Sequence, residues 1–370
     1  MTQPVSSVAP SAAAAWASNS TPREIADRLL GASRVLVFTH MKPDGDAAGS
    51  ALALVRALNL TPGCTAQACF AGPLPPWLPA MAGDTPVRQW ERDGPPDFDA
   101  GACVIVDTGA WSQLESFKSY LVPRAARTTI IDHHRRGDAD AAAHRWIDSE
   151  AAAVCQPVAE LCTLLLGSTV DRLPSPVATA LYLGLATDTG WFRHSNVTPK
   201  VFRLAADLVA AGANPAWLYQ TVEQQDTLSR LHLMSRALAS LELIDAGRVG
   251  VITLTRRDFE ETGCPTSESG GFIDLPQTIA SVKVAAVITE GDPVEFGLAA
   301  GTALTKISLR SKTDDVDVDL ICRTMGGGGH KRAAGAKVRM GLAETRSKVI
   351  AAITAVTAGL SGTSNAKGPT

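Results

Sequence analysis

The chain has 370 residues, with 34 basic and 37 acidic side chains, a net charge of −3 and a pI near 6.2. A protein that grips long nucleic acid usually carries a basic excess, and aromatics at only 5% argue against a run of base-stacking platforms. A phosphate-bearing substrate would therefore be small, or held only by its end. The length is generous for one core and comfortable for two domains, and no apolar run reaches the roughly 20 uncharged residues of a membrane span.

In chain order, "MTQPVSSVAPSAAAAWASNS" is Ala/Ser-rich, has no basic residue before Arg23, and lacks the basic start and apolar run of a signal peptide. Residues 1–21 read as a flexible tail, as do residues 359–370 at the other end. Near-continuous apolar runs at 34–40, 102–107 and 128–132 read as buried strands of a sheet covered on both faces. Helical patterns at 47–58, 151–167, 176–187 and 198–212 alternate with them. The alternation predicts an α/β domain over 22–214 with a mostly parallel sheet and helices on both faces. A partly polar helix at 215–241, within a linker over 215–244, leads to a smaller α+β domain at 245–358. There the pattern predicts strands at 247–255 and 282–289, a hairpin at 294–311 about Gly301, and helices at 317–325 and 342–357. The seven cysteines are an odd count with no C-x-x-C pair, which fits reduced, buried thiols in a cytoplasmic protein and argues against a zinc–cysteine site.

Four stretches place ligand-type side chains at the ends of these elements. "THMKPDGDAAGS" puts His40, Asp44 and Asp46 on a strand-to-helix turn, where parallel α/β sheets bind ligands. Ala47, Ala48 and Gly49 are small enough to let a backbone approach a ligand. The plainer alternative is an Asx-turn with Asp46 as helix cap and His40 tucked against the sheet. "VIVDTG" ends a strand at Asp107, "TTIIDHH" ends one at Asp132, His133 and His134, and "ATDTGWFRHSN" ends an apolar helix at Asp188. Each is weak alone. Together with the glycine-rich segment below they gather five of the seven histidines, leaving His144 and His232 as surface or structural residues. Imidazoles plus carboxylates without thiolate suit Mn²⁺ or a similar first-row ion. Six such groups exceed the needs of one ion and fit two ions about 3.5–4 Å apart, as in metal-assisted phosphoryl hydrolysis.

"MGGGGHKRAAG" (325–335) offers four glycines whose N–H groups could meet an anion, with His330, Lys331 and Arg332 beside them. It is not a Walker A loop, and a flexible glycine linker is the alternative. Arg310 in "SLRSK" is a candidate phosphate partner from a neighbouring strand.

The ordered set H-x-x-x-D-x-D, D-T-G, D-H-H, T-D-T-G-W-F and G-G-G-H resembles the DHH phosphoesterase superfamily over residues 22–358. More narrowly it resembles the two-domain nanoRNase/oligoribonuclease branch, which includes 3′-phosphoadenosine-5′-phosphate phosphatases and cyclic-di-AMP or pApA phosphodiesterases. The resemblance implies two Mn²⁺ ions, with Mg²⁺ or Co²⁺ as substitutes. His40 and Asp44 would hold one, Asp46, His133 and Asp188 the other, and Asp107 would bridge. It further implies that His134 assists the leaving oxygen and that Arg193 and His194 lie near the substrate. Gly327, Gly328, Gly329 and His330, with Arg310, would hold the far end of the nucleotide. The active site would lie in the cleft between domains of a homodimer, the 215–241 helix acting as hinge. Thr39 stands where the family often has Ser. The expected activity is hydrolysis of short oligoribonucleotides to 5′-mononucleotides, with 3′-phosphoadenosine-5′-phosphate as a further substrate and no long duplex or membrane partner. The rivals are a cyclic-di-AMP phosphodiesterase, a manganese inorganic pyrophosphatase, a single-strand DNA exonuclease and a nucleotide-binding module without catalysis.

Overall fold

In the computed structural model, residues 16–294 and 297–358 are described. The chain divides into two compact units, with the boundary between Gln225 and Asp226. The first unit contains α1 (Pro22–Leu30), β1 (Arg34–Phe38), α2 (Gly45–Asn59), β2 (Thr65–Phe70), α3 (Leu78–Ala82), β3 (Val87–Gln89), α4 (Trp90–Asp93), β4 (Ala102–Val106), α5 (Lys118–Leu121), β5 (Thr128–Asp132) and β6 (His144–Ile147). Helices α6 (Cys155–Leu166), α7 (Ser175–Asp188), α8 (Pro199–Ala210) and α9 (Pro215–Glu223) complete it.

All strand pairs of its six-stranded sheet are parallel, in the order β3-β2-β1-β4-β5-β6. Strands of alternating facing feed two cores. Val35 and Val37 pack under α1, α2, α6 and α7. Leu36 and Phe38 face the other side, where Phe38, Trp90, Phe117 and Tyr120 form edge-on and tilted aromatic contacts. The strand order reverses between β1 and β4, and in such sheets the crevice beyond the carboxyl ends at that switch point takes the ligand.

In the second unit, α10 (Leu228–Ala239), β7 (Glu242–Ile244), β8 (Val249–Leu254), α11 (Arg256–Thr262), α12 (Asp274–Gln277), β9 (Val284–Glu290), β10 (Thr305–Ser311), α13 (Val318–Arg323), β11 (Gly328–His330), β12 (Ala333–Val338) and α14 (Leu342–Ala358) follow in order. The sheet is mixed, in the order β11-β12-β10-β9-β8-β7, with only the β8–β9 pair parallel. Ile307 and Leu309 face a core shared with α13 and α14. Ile252, Leu254 and Val287 face α10 and α11 through Leu233 and Phe259.

Three expectations need correcting. The segment 215–241 is two helices: Gln224 leaves helical geometry (ψ 48), and Thr227, extended at ψ 155, caps α10 by accepting the Arg230 N–H. A new cap competes with helix continuation because it satisfies donors that a broken turn exposes. The hairpin at 294–311 reduces to β10 alone, whose antiparallel partner is β9. Gly297 and Gly301 take left-handed φ values of 68° and 84°, which suit turns and not a strand; residues 295 and 296 lie outside the described part. Of the N-terminal tail, residues 1–15 lie outside the described part, as do 359–370. Residues 18–20 bond to β6, with Asn19 N–H donating to Arg145 O at 2.9 Å.

The seven cysteines are buried and unpaired. Among the described residues, no helix is long and apolar enough to cross a membrane.

Candidate metal centre

His40 and Asp107 follow β1 and β4, the two strands that flank the switch point. Asp44 is the N-cap of α2, its Oδ1 accepting from the Asp46 and Ala47 N–H groups. The cap is thus Asp44, not Asp46. Asp46 is freed to turn inward, where it is fully buried. Its carboxylate caps a different helix: Val154 and Cys155, at the start of α6, donate their N–H groups to it at 2.5 and 3.0 Å. That trans cap is also why α6 begins at Cys155 and not at 151: it satisfies N–H groups that the first turn of a helix leaves without an intrahelical partner. Asp188 ends α7. The small residues of α2 serve α7 and not a ligand: a Cβ on Gly45 would overlap Thr187, and one on Gly49 would overlap the Ala180 carbonyl. Two glycines therefore let α2 and α7 touch, which brings Asp46 and Asp188 to one point.

Asp107 sits at the centre with a left-handed φ of 64°, a strain of about 1–2 kcal/mol in a residue with a Cβ. His40 Nε2 lies 3.4 Å from Asp107 Oδ2, and His133 Nε2 lies 3.3 Å from Oδ1. Both imidazoles place the other nitrogen against a main-chain carbonyl: His40 Nδ1 on Met41 at 3.0 Å, His133 Nδ1 on Ala151 at 3.3 Å. A neutral ring that donates from Nδ1 presents a lone pair at Nε2. Two lone pairs then face the two oxygens of one carboxylate, and Asp107 Oδ1 is buried without a hydrogen-bond partner. Something positive, a proton or a cation, must lie between them.

The ionisation of the cluster says the same. Burial disfavours a charged imidazole, yet Asp107 and its neighbours outweigh it and push His40 up to about 9 and His133 up to about 10. Burial and the charge of Asp107 push Asp188 up to about 7. Burial, with Asp107 and Asp188, drives Asp46 well above the carboxylate range. Burial works to raise Asp107 too, but His133 and His40 hold it below its ordinary value. Without an ion, the cluster keeps protons that a divalent cation would displace.

Among the described residues, three overlapping sets have ligand atoms within 4.8 Å of one another: His40–Asp44–Asp107, Asp46–His133–Asp188 and Asp107–His133–His134. Asp107 and His133 each belong to two sets, so the donor chemistry and its sharing fit a pair of divalent ions. The sequence reading missed what Asp132 does here. Its Oδ1 accepts the N–H groups of His133 and His134 and contacts His134 Nδ1 at 2.8 Å, which raises the His134 pKa. One carboxylate thus orients both histidines of the motif. Arg193 and His194 are exposed on the turn after Asp188, Arg193 Nε donating to the Gly190 carbonyl at 2.7 Å.

The second unit holds the remaining residues. The 325–335 segment is no open nest of N–H groups: Gly326, Gly327 and Gly329 donate to Arg323 O, Cys322 O and Asp319 Oδ1. Residues 328–330 form an exposed edge strand, and a Cβ on Gly327 or Gly329 would overlap the Gly335 or Ala333 carbonyl. The glycines are there so that β11 can lie against β12. Arg332 is engaged by Asp314 through two bonds of 2.8 and 2.7 Å. The register places Arg310 opposite Ala333 and Ala333 opposite His330, and in the next row Ser308, Gly335 and Gly328. Directly paired residues share a face, so Arg310 and His330 flank a trough floored by Ala333 and two glycines. A recess of about 140 Å³ adjoins it, lined by Gly270, Gly271, Thr289, Lys306, Ser308 and Arg310 among others.

Against known proteins, the model of the DHH family, N-terminal domain, matches residues 34–185, and that of the DHHA1 domain matches residues 248–359. The bifunctional oligoribonuclease and PAP phosphatase NrnA of Thermus thermophilus is 30% identical over 305 residues, covering 82% of this chain and 84% of that protein. The chain belongs to the DHH superfamily of phosphoesterases. Within it, the chain falls in the nanoRNase and pAp phosphatase branch: the proteins of the same name from Mycoplasma pneumoniae and Bacillus subtilis are 24% and 22% identical and cover 83% and 82% of this chain, or 88% and 89% of their own lengths. The fold matches that of an exopolyphosphatase-related protein from Bacteroides fragilis with a TM-score of 0.80 at 21% identity, over 92% of this chain and 97% of that one. This DHH protein is accordingly a hydrolase acting on phosphoester bonds.

Proposed function

We propose that the protein is a Mn²⁺-dependent hydrolase that cuts short oligoribonucleotides, pApA-type dinucleotides included, to 5′-mononucleotides, and removes the 3′-phosphate of 3′-phosphoadenosine-5′-phosphate. The observation that carries this is the pair of lone-pair-bearing imidazoles facing the two oxygens of buried Asp107. The names of the relatives supply the substrate class. In this reading His40 and Asp44 would hold one ion, Asp46, His133 and Asp188 would hold the other, and Asp107 would serve both. Bound there, the pair of ions supplies a water of lowered pKa and neutralises charge on the phosphate.

The chain's own residues do the rest. Asp132 fixes His134 through Nδ1 and favours its protonated form, leaving Nε2 to bind the scissile phosphate and give a proton to the departing oxygen. Arg193 and His194, exposed beside Asp188, contact the substrate phosphate. Arg310 and His330 bind the rest of the nucleotide in the trough over Gly328, mostly through side chains, since the Gly326, Gly327 and Gly329 N–H groups are already engaged. A homodimer in the cytoplasm completes the reading.

The test is product formation with Mn²⁺ on pApA, a five-residue RNA, 3′-phosphoadenosine-5′-phosphate, cyclic-di-AMP and pyrophosphate, with Asp107→Ala alongside. Turnover of pApA, RNA or 3′-phosphoadenosine-5′-phosphate that vanishes in the variant supports it. Turnover of pyrophosphate or cyclic-di-AMP alone overturns it.

A further inference from the structure

One aromatic side chain from the N-terminal segment is lodged in the loops that carry the metal centre. Trp16 Nε1–H donates to the main-chain carbonyl of His134 at 2.9 Å, across 118 positions of sequence. Its six-membered ring lies where a Cβ of Gly109 or of Gly137 would be; at both positions the nearest three atoms are ring carbons. Neither glycine has a left-handed φ, so the backbone does not demand glycine at either. The ring does. Gly109 closes the D-T-G turn after Asp107, and Gly137 follows the D-H-H motif.

The two loops are tied to each other on the same side. Asp138 N–H donates to Gly109 O at 2.9 Å, and Asp138 Oδ2 accepts the Trp111 N–H at 2.8 Å. The segment behind Trp16 is anchored independently, along β6. Arg145 N–H donates to Asn19 Oδ1 at 2.7 Å, Ile147 N–H donates to Ser18 Oγ at 2.8 Å, and the Arg145 carbonyl accepts from Asn19 and Ser20. Arg145 itself is 7% exposed and reaches the Ala17, Ala139 and Ala142 carbonyls. The His134 side chain, by contrast, is 55% exposed, with Nδ1 bonded to Asp132 at 2.8 Å and 3.9 Å from Asp107. Asp132 holds its main-chain N–H, and Trp16 holds its carbonyl.

We propose that Trp16 is a positioning residue for phosphoester cleavage: a strap from the N-terminal segment pins the His134 main chain, so that the imidazole keeps the orientation set by Asp132. This rests on the reading of the centre as a phosphoesterase site. A group held within about half an ångström of its productive place is worth far more than one that wanders.

The test uses the full chain with Trp16→Ala, Trp16→Phe, Gly137→Ala and the double variant Trp16→Ala/Gly137→Ala. On pApA with Mn²⁺, Trp16→Ala is expected to lower kcat about 10-fold or more, the size of effect seen when an orienting partner is lost. KM should stay within about twofold and the Mn²⁺ content should not change. Trp16→Phe, which keeps the ring but not the donor, should fall between. Gly137→Ala expels the ring, so it should reproduce the loss in the wild type yet be silent in the Trp16→Ala background. Hydrogen exchange of the metal-free proteins gives a readout independent of turnover: peptides spanning 133–138 should exchange faster in Trp16→Ala, while those of β8 and β9 keep the wild-type rate. Wild-type kcat and exchange in Trp16→Ala would overturn the proposal. So would an equal loss from Gly137→Ala in both backgrounds, or a kcat loss that merely tracks lost metal and a lower Tm. A wild-type protein inactive on every substrate would sink the phosphoesterase reading, and the exchange comparison would still decide the strap.

Discussion

The two units present polar groups on a sheet in opposite ways, the first beyond the carboxyl ends of its strands and the second on the face of its strands. The first unit imports side chains. Five elements deliver His40, Asp44, Asp46, Asp107, His133 and Asp188 to one point, and several are fixed by a second partner: Met41 O for His40, Ala151 O for His133, the α6 N–H groups for Asp46. The second unit removes side chains. Gly328, Gly335 and Ala333 floor a trough whose only large walls in those rows are Arg310 and His330. The metal centre is built mostly from buried groups in fixed geometry, whereas the trough proposed for the nucleotide is built from main chain and two long side chains at its edge. Glycine serves both, but for different reasons: Gly45, Gly49 and Gly184 let helices touch, and Gly327 and Gly329 let an edge strand touch its neighbour.

If that contrast is right, substitutions in the first unit should act on kcat and metal, and those in the second on KM. The largest effect should come from Asp107→Ala, which removes the carboxylate that both His40 and His133 face; kcat should fall by about 10⁴-fold or more, the scale seen when a central catalytic group is deleted, as read by pApA turnover. Gly184→Ala comes next. Its Cβ would lie 2.5 Å from Asp46 Oδ1 and 3.0 Å from the Cys155 Cβ, so overpacking should cost about 1–3 kcal/mol in denaturant unfolding and weaken Mn²⁺ binding. Asp132→Asn should cut kcat about 10- to 100-fold with metal retained, because only the orientation of the two histidines is disturbed. Arg310→Ala should raise KM for pApA about 10-fold, the loss of one charge-assisted contact, and leave kcat near wild type. If Arg310→Ala lowers kcat and spares KM, the division of labour is wrong.

The pH dependence sharpens the same point. His40 and His133 titrate near 9 and 10 in the ion-free centre, and Asp188 near 7. Metal needs their deprotonated forms, so protons compete with it below those values. Mn²⁺ affinity should rise with pH between 6 and 9, by about tenfold per pH unit for each proton displaced. Calorimetry in buffers of different ionisation enthalpy should show proton release. An affinity flat over this range would mean the ions do not enter the histidine–carboxylate cluster.

Much of this was legible in the sequence, because strand-end motifs report their own location: an apolar β-branched run that stops at a charged residue places that residue at the sheet's carboxyl edge. His40, Asp107 and His133 lie at strand ends where the apolar runs stop, and Asp188 at the end of its helix meets them, as the family resemblance implied. What was hidden depends on contacts far apart in sequence. The edge strands β3 and β6 are too short, and β2 with its Thr, Gln and Ala too mixed, to show a period. Trp16 looks like one aromatic residue in an Ala/Ser tail until Gly109 and Gly137 close round it. The glycine run invites an anion-nest reading that fails once Asp319 and Cys322 are seen to take its N–H groups. Asp132 has no reason in the sequence to matter beyond its neighbours, since its role comes from the turn that folds His134 back over it.

The most direct test of the central claim is Mn²⁺ stoichiometry by titration of the metal-stripped chain, wild type against Asp107→Ala. Two ions per wild-type chain, falling to one or none in the variant, is the predicted result. A wild type that binds one ion or none, or a variant that still binds two with unchanged affinity, would contradict it.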